Sequence, residues 1–202
     1  RDNVNPPLSV RDALSNPQSD FNRVVLPPMS YLHEQDKVNV RWPAAEAFIT
    51  ERKLNETFGP DAAPIGLVVQ GGMYNSVIRA LQRLGLADIY GETQVPLYVL
   101  NVTYPLVSSE FLAFCEGKQS LLVIEEGQPE FIEQGLSTIL YRAGSNVMLH
   151  GKDILPMAGE YTGAVMLDGI TGFLKQAAPD MLPGQVRAPN ADVPAIPDLG
   201  KT

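Results

Sequence analysis

Between Ile65 and Glu126 the chain alternates short, unbroken apolar runs with amphipathic stretches, and this alternation limits the fold more than any other feature. The runs are Ile65-Gly-Leu-Val-Val-Gln70, Leu97 to Val102, and Ser120-Leu-Leu-Val-Ile-Glu-Glu126. A strand with one wet face shows polar residues at every second position, whereas a strand without that alternation is covered on both faces. Parallel strands need crossover connections, and crossover helices provide the cover. The pattern therefore predicts an α/β domain built on a mainly parallel sheet.

The stretches between the runs have the period of helices. After Gly72, Val77, Ile78, Leu81 and Leu84 fall on one side and Arg79, Gln82 and Arg83 on the other, with Gly85 placed to end the helix. Ser108 or Ser109 is positioned to cap the next helix, whose Phe111, Leu112 and Cys115 point inward before Gly117 stops it. Gly127-Gln128-Pro129 opens a longer helix with proline in its first turn, Ile132, Leu136, Ile139 and Leu140 on the buried side, and Gly144 beyond its end. Asn146-Val-Met-Leu-His150 predicts a fourth core strand, and Thr162 to Lys175, with Val165, Met166, Ile170 and Phe173, a last helix.

Outside this region the pattern changes. Residues 1–22 carry Pro6, Pro7 and Pro17 without a sustained period and are read as an extended arm. Arg23-Val-Val-Leu-Pro-Pro28 predicts one short strand, placed at a sheet edge by its closing prolines. From Tyr31 to Asn55, Val38, Trp42, Ala45 and Phe48 or Ile49 recur at spacings of three and four, a helical lead-in that either kinks at Pro43 or restarts there. Asn55 to Pro64 is read as the loop into the sheet. Prolines recur at 179, 183, 189, 194 and 197, a linker composition, so the predicted division is an arm over 1–22, a domain over 23–178 and a proline-rich linker over 179–202.

Charge and cysteine usage exclude several functions. Fifteen Lys and Arg against 23 Asp and Glu give a net charge of -8, the wrong sign for a nucleic-acid face. No apolar run approaches the roughly 20 residues of a membrane helix. Cys115 is the single cysteine, so the chain by itself forms no internal disulfide and no cysteine-held iron–sulfur cluster, and its thiol suits a reducing compartment. The start at Arg1-Asp2-Asn3, without methionine or a signal-like apolar core, suggests a piece of something longer.

Candidate chemistry is sparse. Gln70-Gly71-Gly72 follows a strand and opens a helix, where backbone amides and the helix dipole can hold a phosphate; the spacing is not Gly-x-Gly-x-x-Gly, and a tight strand-to-helix turn explains it as well. Glu125 and Glu126 end a core strand at the carboxyl edge of the sheet, but adjacent strand residues point to opposite faces and do not form an acid/base or metal pair. His33 and His150, the only histidines, lack the further ligands a metal site needs; His33 is read as a helix-entry residue and His150 as a strand-end residue. Cys115 lies on an apolar stripe where thiolate formation is disfavoured, and no Gly-x-Ser-x-Gly elbow is present. No catalytic, cofactor-binding or metal-binding residue is assigned.

Several segments together carry a family likeness: Val25-Leu-Pro-Pro28 with Tyr31-Leu-His33, Leu54-Asn55, Gly66-Leu-Val-Val-Gln-Gly-Gly72-x-Tyr74, Pro96-Leu-Tyr-Val-Leu-Asn-Val-Thr-Tyr-Pro-Leu106, and Val123-Ile-Glu-Glu-Gly-Gln-Pro-Glu130 followed by Ile132-Glu133. Over most of residues 23–142 the chain resembles the alpha subunits of indolepyruvate ferredoxin oxidoreductases, in the long bacterial form of the thiamine-dependent 2-oxoacid:ferredoxin oxidoreductases. The resemblance implies the domain similar to the carboxy-terminal domain of transketolase: three layers, α/β/α, on a sheet of about five strands with one antiparallel member, for which Arg23 to Leu26 is the candidate. It implies a cytoplasmic parent enzyme of amino-acid catabolism. That parent would decarboxylate indole-3-pyruvate or another aryl 2-oxoacid with thiamine diphosphate and Mg2+, pass electrons through [4Fe-4S] clusters to ferredoxin, and form an acyl-CoA.

The chain lacks the family's Gly-Asp-Gly…Asn segment, its cluster cysteines and any matched catalytic residue. Its implied role is to brace the neighbouring thiamine-binding and ferredoxin-like domains and to bury surface between subunits, with a homodimer left open. Gln70, Gly71, Gly72, Tyr74, Asn101, Tyr104, Glu125 and Glu126 are the motif or interface positions that follow. Two competing readings are an autonomous small-molecule module using the Gly71-Gly72 and Glu125-Glu126 edge, and a cysteine hydrolase using Cys115.

Overall fold

The computed structural model describes residues 26–182, together with Ser15. Five strands form one sheet: β1 (Glu56–Phe58), β2 (Ile65–Gln70), β3 (Leu97–Leu100), β4 (Ser120–Ile124) and β5 (Met148–His150). Their order across the sheet is β1-β3-β2-β4-β5. β2 is parallel to both β3 and β4, with Val69 opposite Val99 on one side and Ile124 on the other; β5 is parallel to β4. Three-residue β1 alone runs antiparallel, pairing Glu56 with Val99 and Phe58 with Leu97.

The central strands are buried on both faces, as their unbroken apolar composition requires. Ile65, Leu67, Val69, Leu97, Val99, Leu122 and Ile124 belong to one cluster, which packs against α3 (Tyr74–Arg83) through Val77 and Leu81 and against α6 (Gly163–Ala177) through Met166, Ile170 and Phe173. Val68, Tyr98, Leu100, Leu121 and Val123 belong to a second cluster with α4 (Ser108–Cys115) and α5 (Phe131–Arg142), which supply Phe111, Phe114, Leu136 and Leu140. The alternation of neighbours between clusters is the period-two geometry of a strand, and three layers result. Gly66 is part of this packing: a Cβ there would lie 2.8 Å from Cζ of Phe114, so the missing side chain lets that ring approach the sheet.

Helix ends follow the expected chemistry in some places and not in others. Gly85, at φ +72°, ends α3, and the Leu86 amide bonds back to the Leu81 carbonyl in a glycine C-cap. Thr162 caps α6 by accepting from the Val165 amide. α4, by contrast, begins at Ser108 with Val107 before it and no side-chain cap, so neither serine has the predicted role. Pro129 lies ahead of α5 rather than in its first turn. Beyond Ala178, Pro179–Met181 forms a 3-10 turn, and Met181 and Leu182 still pack on the first cluster.

The largest correction concerns the antiparallel strand. Among the described residues it is Glu56–Phe58, in the stretch read as a loop; most of the candidate Arg23 to Leu26 lies outside them. Residues 23–25 lie outside the described residues, and Leu26 to Pro28 form a bend and turn. Glu-Thr-Phe shows no periodicity; it becomes a strand because β3 offers it a ladder of backbone partners.

The chain divides into two compact units, 1–45 and 46–202. In the first, α1 (Met29–Asp36) runs into a π-helical segment, Lys37–Arg41. Trp42 donates to the Lys37 carbonyl, five residues back, just ahead of Pro43, which has no amide hydrogen; the predicted irregularity at Pro43 takes the form of a widened turn. Arg41 Nε donates to Asp36 Oδ2 at 2.7 Å and Arg41 Nη2 to the His33 carbonyl at 3.3 Å. Val38 on the predicted apolar face is 60 % exposed, and His33 lies in the last turn of α1 rather than at its entry. Ile49, in the second unit, is the buried residue of α2 (Trp42–Glu51).

Candidate functional site

The order of the strands locates the place where open α/β sheets bind ligands. From β2 the chain crosses through α3 to β3 on one side, and from β4 it crosses through α5 to β5 on the other, with α3 and α5 on opposite faces. A crevice belongs between the carboxyl ends of β2 and β4, where the connections diverge. Gln70 and the Glu125-Glu126 pair stand there.

The chain's own groups fill this position. Glu125 is 7 % exposed, and its carboxylate accepts from the Ile132 amide at 3.0 and 3.1 Å and from the Glu133 amide at 3.1 Å. It thus caps the first turn of α5, satisfying amides that have no partner within the helix and placing negative charge at the positive end of the dipole. Glu126 donates its amide to Gln70 Oε1 at 3.3 Å and accepts at Oε1 from the Tyr161 amide at 2.8 Å. Lys152 completes the closure: Nζ donates to the Glu125 carbonyl and to the Tyr161 hydroxyl, both at 2.6 Å, and its amide donates to Glu133 Oε2 at 3.0 Å. A Cβ on Gly151 would run into the Glu133 carboxylate, which would have to move from its place beside the Lys152 amide. Lys152 and Tyr161 carry no sequence signal, being ordinary polar residues gathered only by the fold, whereas Glu133 falls in one of the segments of the family likeness.

Of the other predicted positions, Gly71, Asn101 and Tyr74 have packing or tethering roles. A Cβ on Gly71 would stand 2.8 Å from Asn101 Oδ1, and Gly71–Met73 is a 3-10 turn leading into α3; Gly72 has open space. Asn101 Nδ2 donates to the Leu54 carbonyl and to Glu56 Oε2, both at 2.9 Å, tying the end of β3 to the entry of β1. Tyr74 packs its ring 5.3 Å from that of Phe58. Tyr104 is 70 % exposed. The fold therefore brings Gln70 to Glu126 and Gly71 to Asn101, while Glu125 and Glu126 serve different partners.

His150 ends β5, bonding through Nδ1 to Asp153 Oδ2 at 2.7 Å with its ring edge-on to Phe173. Burial works against the Asp153 charge, and the bonds from the Gly151 amide and His150 outweigh it, so the carboxyl lies below its ordinary pKa. Among the described residues no group of three or more His, Cys, Asp or Glu side chains is placed to hold a metal, and no helix is long and apolar enough to cross a membrane.

Cys115 is buried within the second cluster, and burial pushes its thiol up to about 11, with the Lys118 charge acting weakly the other way. Alkylation of the folded chain by iodoacetamide at pH 7.5 is expected to run roughly 100-fold or more below that of a free cysteine. Its rate should climb toward pH 11 rather than level near 8.5. Rapid labelling at neutral pH would revive the hydrolase reading.

A second polar cluster lies beside β3, on the side of the sheet where β1 pairs with it. A cleft of about 1280 Å³ opens beside Pro64 and Pro96, which precede β2 and β3. Along it, Glu110 Oε2 accepts from the Tyr98 hydroxyl and from Asn55 Nδ2, each at 3.0 Å, and Asn55 Oδ1 accepts from the Val102 amide. Burial, reinforced by the Glu110 charge, raises the Tyr98 pKa and keeps the phenol protonated as the donor. Lys118 also lines the cleft, 8 % exposed, with Nζ 4.5 Å from the centroid of the Phe114 ring.

Fold and site define a three-layer α/β domain in which the side chains at the carboxyl ends of β2 and β4 bond to the chain's own groups. The Indolepyruvate oxidoreductase domain family matches residues 55–168, more than half of the chain, and the chain belongs to that family. The chain is similar to the indolepyruvate oxidoreductase subunit IorA of Methanothermobacter thermautotrophicus, 30% identical over 151 residues, covering 73% of this chain and 22% of that protein. It is likewise similar to IorA of Thermococcus kodakarensis, 29% identical over 121 residues, 60% of this chain and 18% of that one. A solved 2-oxoglutarate:ferredoxin oxidoreductase from Magnetococcus marinus aligns with TM-score 0.47 and 18% identity, over 73% of this chain and 24% of its own. The chain thus spans about a fifth of the length of the IorA proteins it matches.

Proposed function

We propose that this chain is an inter-domain brace of a cytoplasmic indolepyruvate, or related aryl 2-oxoacid, ferredoxin oxidoreductase, and that it contributes no catalytic group of its own. The observation that carries the reading is the coincidence of two things. The family match runs from Asn55 to Asp168 and so takes in all five strands, and the carboxyl-edge crevice of that same sheet is closed by Glu125, Glu126 and Lys152. The parent oxidatively decarboxylates its 2-oxoacid to an acyl-CoA using thiamine diphosphate, Mg2+ and [4Fe-4S] clusters, with ferredoxin as electron acceptor. These cofactors supply the carbanion and electron-transfer chemistry.

The residues of this chain do not fit those groups. A cluster needs several thiolates, and the one cysteine is buried on an apolar stripe. A diphosphate needs a cradle of amides at a helix N-terminus lined with cationic partners, whereas the Gly71–Met73 turn has the Asn101 side chain beside it and no Lys or Arg in its sequence. What the domain offers instead is surface. Tyr104, Phe131, Ile89 and Tyr90 are large side chains 70 %, 69 %, 83 % and 87 % exposed, suited to being covered by neighbouring domains or a second subunit.

Calorimetric titration of the 202-residue chain with thiamine diphosphate and Mg2+ should show no binding up to millimolar ligand, and the chain should turn over no 2-oxoacid. Micromolar binding or any turnover overturns the reading. Ferredoxin-type cysteine motifs and a thiamine signature encoded with this domain in the same gene support the parentage; their absence counts against it.

A further inference from the structure

We propose that the cleft running beside β1, β3 and α4 binds a small amino carboxylate, its carboxylate paired with Lys118 and its ammonium with the unused oxygen of Glu110. Lys118 is the first observation. An ammonium has three donors and is costly to bury unpaired. Nζ of Lys118 has one acceptor, the Asp61 carbonyl at a long 3.4 Å, and no ion pair among the described residues, although the residue is only 8 % exposed. Desolvation depresses its pKa and the nearby charge of Asp61 partly opposes this. An arriving carboxylate supplies what the ammonium lacks.

The second observation is the Glu110 carboxylate. Oε2 takes both hydrogen bonds, from Tyr98 and Asn55, and Oε1 takes none among the described residues. Glu110 and Phe114, four residues apart, lie on one side of α4, and Lys118, beyond the helix end at Cys115 and the turn at Gly117, sets its amine over the Phe114 ring. A cation, an aromatic surface and a half-used carboxylate thus share one wall of the cleft.

Charge narrows the ligand. Glu56, Asp61, Glu110 and Glu116 outnumber Lys53 and Lys118 in the lining, which disfavours a nucleotide or other polyanion and leaves a compact zwitterion. This inference is independent of the proposed brace function, because none of Glu125, Glu126 and Lys152, which meet between β2 and β4, lines the cleft.

The test is calorimetric titration of the 202-residue chain with glycine, β-alanine, 4-aminobutyrate and 6-aminohexanoate, a series whose growing charge separation measures the distance between the two anchoring groups. Acetate and methylammonium are the single-charge controls. One member should bind saturably and roughly tenfold tighter than either control, and Lys118→Met should weaken it by roughly tenfold or more. Glu110→Gln should weaken the zwitterion while leaving acetate unchanged. If Lys118→Met fails to fold, the Lys118 side-chain NMR signal of the unaltered chain decides: it should shift on saturation with the same member. No saturable binding, binding indifferent to Lys118→Met, or an unmoved Lys118 signal overturns the proposal and leaves the thiamine diphosphate titration unaffected.

Discussion

Glu125→Ala is expected to lower the unfolding free energy of the domain by about 2–4 kcal/mol, read as a drop in the urea midpoint at unchanged slope. The carboxylate is buried and accepts from two amides at the start of α5. Its removal leaves those donors without a partner and takes negative charge from the helix N-terminus, two losses that add. Glu125→Gln keeps an acceptor oxygen and the shape, so it should fall between the two. A strand-end glutamate that served as a working acid or base would behave differently, since its loss leaves stability unchanged or improves it. An unaltered midpoint for Glu125→Ala would therefore reopen the ligand-edge reading.

Phe173→Ala and Phe111→Ala are each expected to cost about 3–5 kcal/mol, the range for deleting a buried phenylalanine. Phe173 is fully buried in the layer formed by α3 and α6, and Phe111 is 1 % exposed in the layer formed by α4 and α5. The sheet separates them, so their effects should be close to additive. Against a total stability of about 5–15 kcal/mol for a domain, a combined loss of about 6–10 kcal/mol should remove most of the double variant's stability. Circular dichroism and a urea series on the three variants check this. A small effect for either residue alone would mean that one face of the sheet lacks the packed layer described above.

Much of this fold is legible in the sequence because its strongest local signals agree with its tertiary structure. Ile65-Gly-Leu-Val-Val, Leu-Tyr-Val-Leu100 and Leu-Leu-Val-Ile124 are apolar throughout, and the helices between them bury the residues spaced at three and four. β1 was not legible. Three residues have no period to detect, and Glu56-Thr57-Phe58 is extended only because β3 is there to pair with it. The apolar stripe from Val38 misled for the opposite reason: the period is present, but Val38 stands exposed.

The sites divide in the same way. The carboxyl edge could be located, since it follows from strand ends, and Gln70, Gly71, Asn101, Glu125 and Glu126 do gather there. Their partners could not be named. Lys152 reaches the Glu125 carbonyl across 27 positions, and Asn55 reaches Glu110 across 55, and neither pairing leaves a mark in spacing or composition.

The crowded ends of β2 and β4 also bear on how such a domain could acquire new chemistry. Any phosphate or carboxylate diffusing to that spot competes with acceptors and donors tethered a few bonds away, whose local concentration far exceeds what a metabolite reaches in solution. Freeing the spot means first finding other partners for the α5 amides and for Lys152. Loops remote from it can vary without that toll, so diversification in relatives of this scaffold should concentrate on its outer connections while the sealed seam stays as it is.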